Sequence, residues 1–320
     1  MVLPAGLRIR RWALALIVGI GWIAALGLDD RATAATAAPP ALEQALDKLV
    51  ADGVPGAIAL ERQGRRESHA AAGVADLKTM EPISAADRYR IGSITKSFVS
   101  TVVLQFVAER RLSLDDSVED WLPELVPNGD AITVRQLLNH TSGLYNYTDL
   151  PFYIQLLKEP LKSWRPLELV QGAVARPPLF APGTSWSYSN TNYLLLGLIV
   201  AEVDDVPARL QMVVPALEVY RRIVAPLGLW RTSFPLTDPD VHGPHAHGYV
   251  IDPPPELGLP AILDTTRLNP SSVWTAGAII STLDDVADFH RALFAGRLLG
   301  PDQQRELMTT VPDGLGGQHG

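Results

Sequence analysis

At 320 residues, with 47% hydrophobic and 19% charged side chains, the chain has a globular composition and enough length for a sizeable core. A net charge of −8 argues against a general nucleic-acid binder, which carries a basic excess. There is no cysteine, so disulfides, thiolate zinc sites and cysteine nucleophiles are excluded.

Arg8, Arg10 and Arg11 precede a 17-residue apolar run from Trp12 to Leu28, and small residues follow, with A-x-A sites ending at Ala34 or Ala37. Charged, then apolar, then small is the layout of a secretory signal peptide, so residues 1–38 are expected to be leader and linker. The protein is then secreted or held in the cell envelope. An uncleaved membrane anchor is the alternative, because the run falls just below a comfortable spanning length.

Beyond the leader, Leu42, Ala45, Leu46 and Val50 have helical spacing over 41–53. Gly56–Arg62 and Glu67–Val74 read as two short strands joined through Gln63–Arg66. From Ile91 to about Ala201 the pattern is mostly helical. One helix carries Ile94, Phe98, Val99, Val102, Val103 and Phe106; a second covers Thr133–Leu138; a third runs from Asn190 through Ile199. Phe234–Pro260 is rich in Pro, Gly, His and Asp and reads as a long surface loop. Ser281-Thr282 caps a helix through Asp284, Val286, Phe289 and Leu293. Two strands followed by many helices is an odd balance, since a two-stranded sheet is rarely stable alone.

Two motifs carry chemistry. In Ile91-Gly92-Ser93-Ile94-Thr95-Lys96, the serine and lysine are three apart and share a helical face. A serine hydroxyl needs a base to take its proton, and a lysine can serve only if desolvation lowers its pKa. Alone, such a pair is most often a capping serine with an exposed lysine. The second motif is Tyr188-Ser189-Asn190, in a loop just before an apolar helix.

Together these motifs resemble the S-x-x-K and Y-x-N elements of the serine beta-lactamase and D-alanyl-D-alanine carboxypeptidase family. Leu137–Leu144 (LLNHTSGL), Ala225–Leu229 (APLGL) and Ala276-Gly277 leading to Ser281-Thr282 resemble it too, so the likeness covers roughly residues 40 to 320. It implies an α+β fold, a mostly antiparallel sheet flanked by helices with a largely helical insertion. The α/β part would comprise 39–92 and 273–320, and the helical catalytic region 93–272. The resemblance further implies that Ser93 is acylated, that Lys96 and Tyr188 share proton transfer, and that Asn190 holds the acyl side-chain amide. Trp274 lines the cleft by the same resemblance, a core tryptophan being the alternative.

One departure concerns the family's third element, a Lys/His-(Thr/Ser)-Gly on a strand beside the nucleophile, which has no match here. The tail is therefore expected to precede that strand, leaving the sheet incomplete and the chain a fragment or a truncated protein. The expected function is serine-type hydrolysis of D-alanyl-D-alanine peptides, with a class C-like beta-lactamase or an esterase next. A non-catalytic penicillin- or peptidoglycan-binding protein is the reading from another class. The expected partner is a small peptide or beta-lactam, met by a monomer. No cofactor is implied, since neither G-x-x-x-x-G-K-[ST] nor G-x-G-x-x-G occurs. His242, His245 and His247, near Asp238 and Asp240, are read as a surface loop in preference to a metal site. His140 is read as a structural loop histidine, the base role being its alternative.

Overall fold

A computed structural model describes residues 34–36, 38–64, 66–314 and 316–319 of the chain. The apolar run Trp12–Leu28, its basic flank and Ala37 lie outside the described residues. Strand β1 (Ala34–Thr36) runs parallel to β3, which places in a sheet residues expected in a linker. Helix α1 (Pro40–Ala51) opens on a proline, whose missing N–H has no intrahelical partner to lose in the first turn. Strands β2 (Gly56–Gln63) and β3 (Arg66–Asp76) form the expected antiparallel hairpin, and β4 (Glu81–Pro82) pairs with the far end of β3.

After β5 (Tyr89–Arg90) a 3-10 turn, Gly92–Ile94, leads into α2 (Thr95–Ala108). Then come α3 (Val118–Trp121), α4 (Val134–Leu138), α5 (Leu150–Lys158), α6 (Pro166–Val174) and α7 (Asn190–Val203). Thr133 caps α4 and Gln136 answers it in a capping box, which fixes the start of that helix. Helix α8 (Val214–Val219) continues through a π turn, Tyr220–Val224, into α9 (Ala225–Leu227). The expected long loop carries a hairpin instead, β6 (Tyr249–Ile251) with β7 (Ile262–Asp264). Arg90 explains how so polar a segment stays seated: its guanidinium donates to the Pro239, Thr266 and Leu268 carbonyls.

The chain ends with α10 (Trp274–Gly277), β8 (Ile280–Ser281), α11 (Leu283–Phe294), α12 (Pro301–Met308), β9 (Val311–Pro312) and β10 (Gln318–His319). Thr282 alone caps α11, accepting from the Asp285 N–H, because Ser281 belongs to β8. Strand β8 pairs antiparallel with β5 and so brings residues 280–281 beside the approach to Ser93.

Two cores result. A small one joins Leu46 of α1 to Ala57 and Ala70 of the hairpin. The large one is helical and centres on α7, which is buried from Thr191 to Ala201 because it is apolar all round. Phe98 of α2 stacks on Phe289 of α11 at 3.7 Å between ring centroids, locking the helix behind the site to the C-terminal one. Arg62 ties the hairpin to α11 through Glu67 and Asp288. Among the described residues no helix is long and apolar enough to cross a membrane.

Candidate active site

Three segments distant in sequence converge on Ser93. The serine is exposed in the 3-10 turn heading α2, where backbone N–H groups lack intrahelical acceptors. One helical turn on, Lys96 is buried, and its Nζ lies 3.2 Å from Ser93 Oγ. The ammonium also reaches Asn190 Oδ1 at 2.7 Å and the Ala276 carbonyl at 2.7 Å. From the other side, the Tyr188 hydroxyl lies 2.7 Å from Ser93 Oγ.

Burial sets the proton chemistry. Desolvation lowers the Lys96 pKa from 10.5 to about 7. A neutral amine has two N–H groups and one lone pair. Here two carbonyl-type oxygens, Asn190 Oδ1 and Ala276 O, take the N–H groups and leave the lone pair for the Ser93 hydroxyl. Desolvation pushes the Tyr188 phenol the opposite way, above its usual value. The phenol therefore keeps its proton in the resting site, an arrangement that suits the lysine to accept a proton and the tyrosine to donate one.

Local structure explains why these groups hold their places. Asn190 opens α7 and gives its Nδ2 to Thr148 Oγ1 at 2.8 Å while its N–H donates to Asn146 Oδ1 at 3.0 Å. With Oδ1 taken by Lys96, its amide positions the lysine, a role beyond the substrate contact that the resemblance implied. The loop carrying Tyr188 is bracketed by residues 140–143. Gly183 N–H donates to Thr141 O and Leu179 N–H to Gly143 O, both at 2.8 Å. Gly143 sits at φ +76°, and a Cβ there would meet Phe180 O at 2.2 Å, so only glycine fits.

Trp274 is corrected. It is fully buried, donates Nε1–H to Met212 O at 3.1 Å, and packs against Gly197 of α7. It is a core residue and lines no cleft. Its backbone stands at φ +34°, a strained value for a bulky side chain, in the turn that aims Ala276 O at Lys96. The sequence marks Ala276 only as part of a resembling stretch and not as a site residue, because its contribution is a backbone oxygen, which no side-chain pattern announces.

The histidine-rich loop does not gather one set of ligands. His242 pairs with Asp238 at 2.7 Å, His247 with Asp264 at 2.9 Å, and His245 faces the Gly243 carbonyl. Glu67, His69 and Asp284 do converge, with ligand atoms within 4.8 Å of one another. Arg62 already supplies that cluster with a cation, at 2.5 Å from Glu67 and 3.6 Å from Asp284. A cavity of about 490 Å³ opens between Arg88, Trp230 and His242 and includes none of the Ser93 group.

A family model described as Beta-lactamase matches residues 42–317. The chain belongs to this family. Esterase EstB of Burkholderia gladioli is 31% identical over 58% of this chain and 48% of its own length. Penicillin-binding protein 4* of Bacillus subtilis (strain 168) is 25% identical over 76% of this chain and 53% of its own. The chain thus spans about half the length of these curated relatives. Among solved structures, a D-stereospecific amidohydrolase from Streptomyces sp. superposes with a TM-score of 0.76 and 42% identity, covering 85% of this chain and 77% of that one. D-amino acid amidase from Ochrobactrum anthropi SV3 reaches 0.70 and 30%, covering 82% and 72%. These neighbours also share the expected mixed α+β architecture.

Proposed function

We propose that the chain is a serine-type hydrolase that acylates Ser93, and that its substrates are amides whose acyl part is a D-amino acid. The observation that carries the chemistry is the buried Lys96 Nζ, 3.2 Å from Ser93 Oγ, where desolvation lowers the lysine's pKa to about 7. The likeness to the D-stereospecific amidohydrolase and the D-amino acid amidase supports the substrate class. D-alanyl-D-alanine is itself such an amide, so carboxypeptidase activity is a special case.

The steps follow from the groups present. Lys96 Nζ takes the proton of Ser93, whose Oγ bonds to the substrate carbonyl carbon. The tetrahedral oxyanion forms at the open N-terminal end of α2, where backbone N–H groups and the helix dipole favour negative charge. Tyr188 then gives its proton to the leaving nitrogen, the C–N bond breaks, and the proton held by Lys96 passes back to the phenolate, restoring both groups. Water next attacks the ester carbon, loses a proton to the same pair, and releases the acid and Ser93.

The test is hydrolysis of D- and L-phenylalanine amide, with mass spectrometry of the trapped adduct. Faster turnover of the D-enantiomer and an adduct on the Ser93 peptide are expected. Labelling by a fluorescent penicillin that survives Ser93→Ala would refute the nucleophile, and preference for the L-amide the substrate class. Acylation without release would favour the penicillin-binding reading, which penicillin-binding protein 4* supports. Action outside the cytoplasm rests on the pattern from Arg8 to Ala37 and forms part of the proposal.

A further inference from the structure

His140 lies behind Tyr188, on the bracket that holds the tyrosine loop. It is buried and stands at φ +63°, a left-handed conformation that costs energy for a residue with a Cβ. That backbone lets one residue grip the loop twice. Its carbonyl accepts from the Ser187 N–H at 3.0 Å, and its Nδ1 faces the Ser189 N–H at 3.2 Å. These are the N–H groups of the two residues that flank Tyr188. Between them the imidazole lies 4.5 Å from the phenol ring, centroid to centroid, inclined at 34°.

The Ser189 N–H can only donate, so Nδ1 must be a lone pair. Asn192 agrees: its Oδ1 accepts from Ser142 Oγ, and its Nδ2 lies 3.3 Å from the same Nδ1. Two donors therefore converge on one acceptor, which fixes the tautomer with its proton on Nε2.

We propose that His140 is a positioning residue that holds Tyr188 against Ser93, and that it does so only as a neutral imidazole with Nδ1 unprotonated. A proton on Nδ1 would oppose the Ser189 N–H and release one side of the loop. It would also bring a second cation to the phenol rings that Lys96 already faces. Lys96 Nζ is 4.9 Å from the Tyr188 centroid and 5.3 Å from that of Tyr193, whose ring lies 5.5 Å from His140. Of the other elements packed here, the 186–189 loop adds Trp186, α7 adds Asn192, and the charged group of α4, Arg135, is turned away to Glu306 and Asp115.

The inference rests on reading Ser93, Lys96 and Tyr188 as a hydrolytic site, and the experiment separates the two. In the unaltered protein, ¹⁵N spectra of the His140 ring at neutral pH should show an unprotonated Nδ1 and a protonated Nε2. A proton on Nδ1 overturns the proposal whatever the activity. For function, His140→Asn restores an acceptor and tolerates the left-handed backbone, whereas His140→Phe keeps a ring and removes the acceptor. Acylation of Ser93 by His140→Phe should fall about a hundredfold in kcat with KM little changed, as for a group displaced by about 1 Å. His140→Asn should stay within about tenfold of the unaltered enzyme. Equal rates in all three proteins, or equal losses in two folded variants, overturn the proposal. Failure of the hydrolytic reading appears separately, as no acylation of Ser93 in the unaltered protein.

Discussion

Lys96 Nζ and Asn190 Oδ1, separated by 94 residues in the sequence, meet at 2.7 Å and join α2, the helix that Ser93 heads, to the buried helix α7. The contact lets a buried amine be satisfied in either charge state. As an ammonium it donates to Ser93 Oγ, Asn190 Oδ1 and Ala276 O; as an amine it keeps the last two and accepts from the serine.

Ser93→Ala should abolish the covalent adduct and leave the fold intact. The residue is exposed, so its removal should change stability by less than about 0.5 kcal/mol. Intact-mass measurement after incubation with substrate, with a thermal melt beside it, checks both halves.

The acylation rate should fall as pH drops through about 7, because protonated Lys96 has no lone pair to accept the serine proton. The sign follows from a base whose pKa is lowered: its active form is the one that dominates above that pH. Lys96→Met should remove this limb and cost about 10²–10⁴ in rate. Single-turnover acylation across pH reads both effects.

Tyr188→Phe removes the donor to the leaving nitrogen and leaves the lysine in place. The rate for amides should drop about a hundredfold. Esters, whose alkoxide leaves with less help, should lose less. A parallel series of amide and ester substrates decides it.

Gly197→Ala should damage the site from a distance. A Cβ at that position would lie 2.6 Å from the Thr275 side chain and 2.7 Å from Trp274, so α10 must shift. Overpacking of this kind costs about 1–3 kcal/mol and moves the Ala276 carbonyl off Lys96. Melting temperature and acylation rate should fall together, whereas Ser93→Ala lowers only the second.

Glu218 is buried on α8 and bonds Arg221 and Arg222, the latter reaching across to Glu109, just past the end of α2. Burial opposes its ionisation, but the two guanidinium groups prevail and hold its carboxyl below the usual 4.5. The stabilisation is thus present above about pH 4.5 and lost as pH falls below it. Glu218→Ala should cost about 2–3 kcal/mol, less than a fully orphaned buried charge, because Arg222 keeps Glu109. Urea melts at neutral and acidic pH should show that difference narrowing in acid.

The sequence by itself determined the family, the hairpin, and that Ser93, Lys96 and Tyr188 are the residues to watch, which the fold brings together. Ser93 and Lys96 share one helical turn, and turn spacing is a local property that a pattern can report. Helix α7 was legible for the same reason, being apolar all round. Tertiary structure alone decided the rest. The carbonyl of Ala276, the grip of His140 on the N–H groups of Ser187 and Ser189, and the Asn190 amide turned on Lys96 join segments far apart in sequence. Two of these act through backbone groups, whose identity does not change with sequence. Trp274 shows the limit from the other side, for a tryptophan beside a motif looks alike in cleft or core. Only the close approach of α7 at Gly197, which leaves no space for solvent, placed it in the core.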